Sequence, residues 1–171
     1  MRSDLPSANF IYTLCFLTRG DHILMLHRRR PPNQGLWNGV GGRIEAGEPP
    51  LAACLREVRE ETGYRLATAR FDGLLSWSGH EFPDGGLYIY TAEAPEGEPG
   101  LCPEGALVWK RREWVYTSSA VVSNLHYVVP LILGGALPQR YHFWYSNAQI
   151  THHVVEPLPA WALAAQGGAE A

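Results

Sequence analysis

Apolar residues open the chain at strand spacing. Residues 9–18, NFIYTLCFLT, are largely β-branched or aromatic and predict a buried strand. A turn at RGD leads to HILMLHRRR, residues 22–30, a second strand that ends in three arginines. The glycine- and proline-rich stretch PPNQGLWNGVGG breaks the pattern and predicts a loop. Helical spacing follows, from about Glu48 to Thr62, with Pro49 and Pro50 suited to a first turn and Gly63 to the position just past the end. Strands are expected at 64–78, 86–93 and 105–111, a short helix at 123–133, and a closing hairpin of RYHFWYS and ITHHVVE. The Ala/Gly-rich tail, 157–171, is expected to fray and be flexible beyond a single domain spanning 1–156. Several strands with interspersed helices predict an α+β protein whose mixed β-sheet is covered by helices.

The helix raises a chemical question. At about 100° per residue, Leu51, Leu55, Val58 and Thr62 form one stripe that faces the core. Glu57, Glu60 and Glu61 fall on a different arc. Glu57 and Glu61 are neighbours on the helix surface and repel, and Glu60 and Glu61 meet the negative end of the helix dipole. A solvated acidic face, relieved in part by Arg56, is the plain structural explanation. Two local rules broken together point instead to a function, and a divalent cation reverses the sign of both penalties. Clustered carboxylates of this kind suit Mg2+ or Mn2+.

Composition narrows the setting without changing this reading. The chain has 171 residues, 46% hydrophobic and 18% charged, and a formal net charge of −3. That describes an ordinary globular domain and argues against a surface for a nucleic-acid polymer. Three scattered cysteines, Cys15, Cys54 and Cys102, predict reduced thiols in a cytoplasmic setting. No apolar run approaches membrane-spanning length, so no membrane partner is expected.

Gly42, five residues, Glu48, seven residues, Arg56-Glu57-Val58, one residue, Glu60-Glu61, one residue, Gly63-Tyr64: this pattern resembles a complete Nudix box. The resemblance implies an α/β/α sandwich and Mg2+-dependent hydrolysis of a nucleoside diphosphate linked to another group. It implies that Glu57 and Glu61 bind metal together with the backbone carbonyl of Gly42. Glu60 would be a further ligand or place the attacking water, and Arg56 would steady a carboxylate, with Glu48 a partner. Glu104, outside the box, matches an acid that completes the metal site or acts as base.

The stretches LMLHRRR, LWNGVGGRIEAGE and YVVPLIL resemble the branch that sanitises oxidised purine nucleoside triphosphates. Asn38 matches a residue that touches the base there. The chain departs from that branch at Pro32, where an aromatic stacks on the base, and at Asn124 and Leu125, where two aspartates meet the purine edge. Arg28 is a candidate phosphate clamp, Trp37 a candidate stacking surface, and Glu48 and Asn124 line the expected substrate site. The expected partner is a small-molecule nucleotide, split to monophosphate and pyrophosphate by a monomer or homodimer. Sister branches that cleave nucleotide sugars, ADP-ribose or dinucleoside polyphosphates, and a non-catalytic nucleotide-sensing domain, are the alternatives.

Overall fold

A computed structural model of the chain describes residues 5–166. Eight strands form one mixed sheet: β1 (Phe10–Arg19), β2 (His22–Arg28), β3 (Trp37–Asn38), β4 (Arg70–Ser78), β5 (Gly85–Glu93), β6 (Gly105–Arg111), β7 (Gln139–Ser146) and β8 (Gln149–Pro157). Their order is β3-β2-β1-β5-β4-β7-β8, with β6 paired along β2. The β1–β5 and β4–β7 pairs are parallel and the other named pairs antiparallel. Among the described residues there are four helices: α1 (Pro50–Thr62), α2 (Arg112–Thr117), α3 (Leu125–Leu133) and α4 (Ala160–Ala164).

Strand β1 shows why helices cover both faces. Leu14 and Phe16 point into one apolar cluster, with Val128, Val129 and Ile132 of α3 and Val115 of α2. Cys15 and Leu17 point into the other, with Cys54 and Val58 of α1 and Ala162 of α4. Alternation on a strand buried on both sides therefore builds an α/β/α sandwich. Each fully buried aliphatic side chain of this kind contributes about 1.5–3 kcal/mol. Among the described residues, no helix is long and apolar enough to cross a membrane.

Several local expectations shift. The strand expected from residue 64 begins at Arg70, because Thr62 receives the chain instead: its hydroxyl donates to the Val58 carbonyl at 2.6 Å and accepts the Tyr64 N–H at 3.0 Å. The glycine- and proline-rich loop contains β3, where Trp37 pairs with His27 and Asn38 with Leu26. Helix α2 has no counterpart in the sequence reading. After Pro157 the chain turns back as α4, which buries Ala162 and brings Gln166 to the Tyr90 hydroxyl at 2.8 Å. Residues 167–171 of the tail lie outside the described residues.

The buried stripe of α1 is also rotated from the one expected. Cys54, Val58, Glu61 and Thr62 are buried, while Leu51 and Leu55 are only partly covered. Small Ala53 and Cys54 let the helix lie close to β1, which turns Leu55 outward. Measured from the direction of Cys54, Glu61, Glu57 and Glu60 then sit about 20°, 60° and 120° around the helix. The three acids descend from the core to the solvent.

Candidate active site

The site begins where two strands part. Strands β1 and β2 pair only beside their turn, at Thr18–Ile23 and Arg19–His22. Beyond that point the segment 40–43 lies along the freed edge of β1. Val40 exchanges two backbone hydrogen bonds with Cys15 (2.6 and 3.1 Å), Thr13 N–H donates to the Gly42 carbonyl at 2.8 Å, and Ile44 N–H donates to Ile11 at 2.8 Å. A side chain on Gly41 would collide with the Thr13 carbonyl. At Gly42 a Cβ would stand 2.5 Å from the carboxyl carbon of Glu57. The two glycines thus bring bare backbone against the acids of α1.

Glu61 lies beneath this segment and is 6% exposed. One of its oxygens accepts the Gly41 N–H at 2.8 Å. Burial pushes its carboxyl up to about 8; the Gly41 N–H opposes the rise, Glu57 adds to it, Arg28 opposes it and Glu104 adds to it. Glu57 is raised by burial first, against the pull of Arg56. Arg56 gathers the outer acids. Its guanidinium donates to Glu48 at 2.8 and 2.9 Å, to Glu57 at 2.9 Å, to Glu60 at 3.2 Å and to the Arg43 carbonyl at 3.0 Å. The bond to Arg56 holds the Glu48 carboxyl below its ordinary value. A fork with five N–H groups suits this many acceptors, which an ammonium could not match.

Glu104 arrives from the start of β6. Its carbonyl accepts the Arg29 N–H at 2.9 Å, and its carboxylate stands 4.0 Å from both Arg28 and Arg30. Two cavities flank segment 40–43. One, about 890 Å³, is bordered by Glu48, Arg56, Glu57 and Glu60. The other, about 1230 Å³, is bordered by Asn38, Asn124, Arg28, Thr13 and Gly42. The Asn38 carbonyl oxygen accepts the Gly39 N–H at 2.8 Å, which turns its NH2 group away from that contact. Asn124 precedes α3, nearly buried, beside the Tyr145 hydroxyl.

A NUDIX domain model matches residues 9–127. The chain belongs to the Nudix family of hydrolases. The oxidized purine nucleoside triphosphate hydrolase of Mus musculus is 29% identical over 104 residues, 60% of this chain and 67% of that protein. An octanoyltransferase of Myxococcus xanthus is 47% identical over 49 residues, but this stretch spans only 29% of the chain and 14% of that protein. The crystal structure of the MutT protein from Bacillus halodurans superposes with a TM-score of 0.74 at 27% identity, covering 86% of this chain and 98% of that one.

The Nudix helix therefore carries Glu57, Glu60 and Glu61 beside Gly42, with Arg56 and Glu48 bound to each other and Glu104 within electrostatic reach of Glu61. Among the described residues, no group of three His, Cys, Asp or Glu side chains converges as a finished metal cage. Glu57 and Glu60 face Arg56 instead. Trp37 is placed apart from both cavities. Its ring stacks on His27 at 4.5 Å, meets Trp114 edge-on at 5.8 Å and lies under the Lys110 ammonium at 4.5 Å. Arg28 borders the larger cavity, and its Nε donates to the Pro32 carbonyl at 2.7 Å. Sequence reasoning missed Trp77 and Tyr145, which border the larger cavity, since either residue type on a strand reads as core.

Proposed function

We propose that this Nudix domain is a Mg2+- or Mn2+-dependent pyrophosphohydrolase that splits nucleoside triphosphates, including oxidised purine deoxynucleotides, to a monophosphate and pyrophosphate. The observation that carries this reading is the seam at Gly41–Gly42. On one side lie Glu57 and Glu61; on the other a cavity of about 1230 Å³, roomy enough for a base and sugar, whose border includes the side-chain amides of Asn38 and Asn124.

The residues fit a hard divalent cation in kind. Their donors are carboxylate and carbonyl oxygens, Gly42 leaves a space that any Cβ would fill, and Glu61 is a buried acid that a cation would relieve. Mg2+ keeps several waters, so it needs only a few protein ligands and no closed cage. Glu57, Glu61, the Gly42 carbonyl and Glu60 would hold it. A bound cation supplies neutralised phosphate charge and an acidified water. The chain itself supplies orientation. Arg56 fixes Glu57 and Glu60 from one side, and Glu48 fixes Arg56. Glu104, partly exposed and within electrostatic reach of Glu61, would take a proton from water. In the cavity, the Asn38 NH2 group offers donors to a carbonyl or ring-nitrogen acceptor on the base, and Asn124 offers a second amide where acids would read a purine edge.

The purified chain, given Mg2+ and a panel of normal and oxidised triphosphates, should release monophosphate and pyrophosphate. Release of orthophosphate and a nucleoside diphosphate overturns the reading. ADP-ribose, nucleotide sugars and dinucleoside polyphosphates belong in the same panel, where faster turnover of one of them would move the substrate class within the family.

A further inference from the structure

Several arginines surround the acids, and most are already committed. Arg56 is held by Glu48, Glu57 and Glu60. Arg28 donates to the Pro32 carbonyl and shares Glu104 with Arg30. Arg43 differs. Its main chain is fixed: the residue bridges to Tyr12 on β1, its carbonyl accepts from Arg56 at 3.0 Å, and the Ile44 N–H after it bonds to Ile11 at 2.8 Å. Its side chain is exposed and, among the described residues, makes no ion pair or hydrogen bond with another group. Arg43 is also one of two residues, with Ile11, that border both cavities.

We propose that Arg43 is the phosphate-chain clamp of this site, the specificity-determining residue that tells a triphosphate from shorter phosphate chains. The inference rests on the nucleotide reading above. A nucleotide whose base lies in the larger cavity must pass its phosphates over Gly42 to reach Glu57 and Glu61. Arg43, the next residue, borders both cavities at that crossing on a fixed backbone, and its guanidinium has five N–H donors and no internal acceptor to give up. An uncommitted cation there adds to the charge neutralisation a bound metal would supply, because Arg56 is already paired with the acids around it. Arg28, the candidate from sequence, would first have to leave Pro32 and Glu104.

The test uses the full chain with Mg2+. Arg43→Gln should raise KM for the preferred triphosphate about ten- to a hundredfold with kcat within about threefold, while turnover of the matching diphosphate changes less. Arg43→Lys should fall between, since it keeps the charge and loses the fork. Binding is read separately by calorimetry with the α,β-methylene analogue of that triphosphate, for which Arg43→Gln should weaken affinity about tenfold or more. Arg65→Gln, which removes an equal charge from an exposed site beyond the helix, is the control. Affinity for the analogue within twofold of that control overturns the clamp. A wild-type chain that neither binds the analogue nor hydrolyses any triphosphate instead overturns the function on which the clamp rests.

Discussion

Glu61 makes a quantitative claim about stability. Without metal, its carboxyl is held at about 8 by burial, against an ordinary value of 4.5. Because the folded-state value is raised, the unfolded chain loses its proton near pH 4.5 while the folded chain keeps it to about 8. Stability contributed by the neutral group is therefore fully present below pH 4.5 and is lost progressively as pH rises toward 8. At 1.36 kcal/mol per pH unit, the interval from 4.5 to pH 7 corresponds to about 3 kcal/mol. Glu61→Gln keeps an acceptor for the Gly41 N–H and removes the titration. In chelator-containing buffer the variant should match the wild type at pH 4.5 and exceed it by about 3 kcal/mol at pH 7, or roughly 6–12 °C in Tm. Adding Mg2+ at pH 7 should stabilise the wild type far more than the variant and close most of the gap. Denaturant titrations at pH 4.5, 6, 7 and 8, with and without Mg2+, measure this directly. A difference that stays flat from pH 4.5 to 8 would refute the claim that Glu61 is a buried acid kept for a cation.

Four further outcomes are expected. Glu57→Gln should lower kcat at least about a hundredfold at saturating Mg2+; near-normal turnover removes Glu57 from the proposed ligands. Gly42→Ala would place its methyl 2.5 Å from the Glu57 carboxyl carbon, so kcat should fall at least about tenfold with the circular-dichroism spectrum retained. Asn38→Ala should raise KM about tenfold and flatten the preference among bases with kcat largely kept, and an unchanged preference would make Asn38 a turn residue. His142 is fully buried between Ser76 (2.7 Å) and Ser78 (3.2 Å), and burial, then Arg140, holds its ring at about 4. Its unfolded imidazole takes a proton below about 6.5, so stability should drop by up to about 3 kcal/mol between pH 6.5 and 4, a slope that His142→Gln should flatten.

Legibility followed distance along the chain. The apolar run that includes Leu14, Cys15, Phe16 and Leu17 was local, and it predicted a buried strand. The Nudix helix, its prolines and its Gly63 stop were local as well. The rotation of α1 was not, because it depends on how closely Cys54 approaches β1, and the larger Leu55 drew the expected stripe toward itself. The depth of Glu61 depends on the Gly41 N–H, twenty residues away in sequence. Trp37 had the right chemistry for stacking on a base, yet His27 and Lys110 come from other strands to occupy it. Residues 112–117, REWVYT, carry β-branched and aromatic side chains that argue weakly for a helix, and packing of Val115 against α3 settled the matter.

The segment 40–43 takes its position from the edge of β1, and β1 also divides its side chains between two cores. The strand is thus a ruler read from three sides. One residue inserted between Tyr12 and Phe16 would exchange the faces of Leu14 and Cys15, and with them the fillings of both cores. The same insertion would slide Gly42 out of register with Glu57. Length variation in this chain should accordingly be absorbed elsewhere, as in the eleven-residue connection from Ala94 to Glu104, where extra residues would lengthen a surface loop and leave the ruler unmoved.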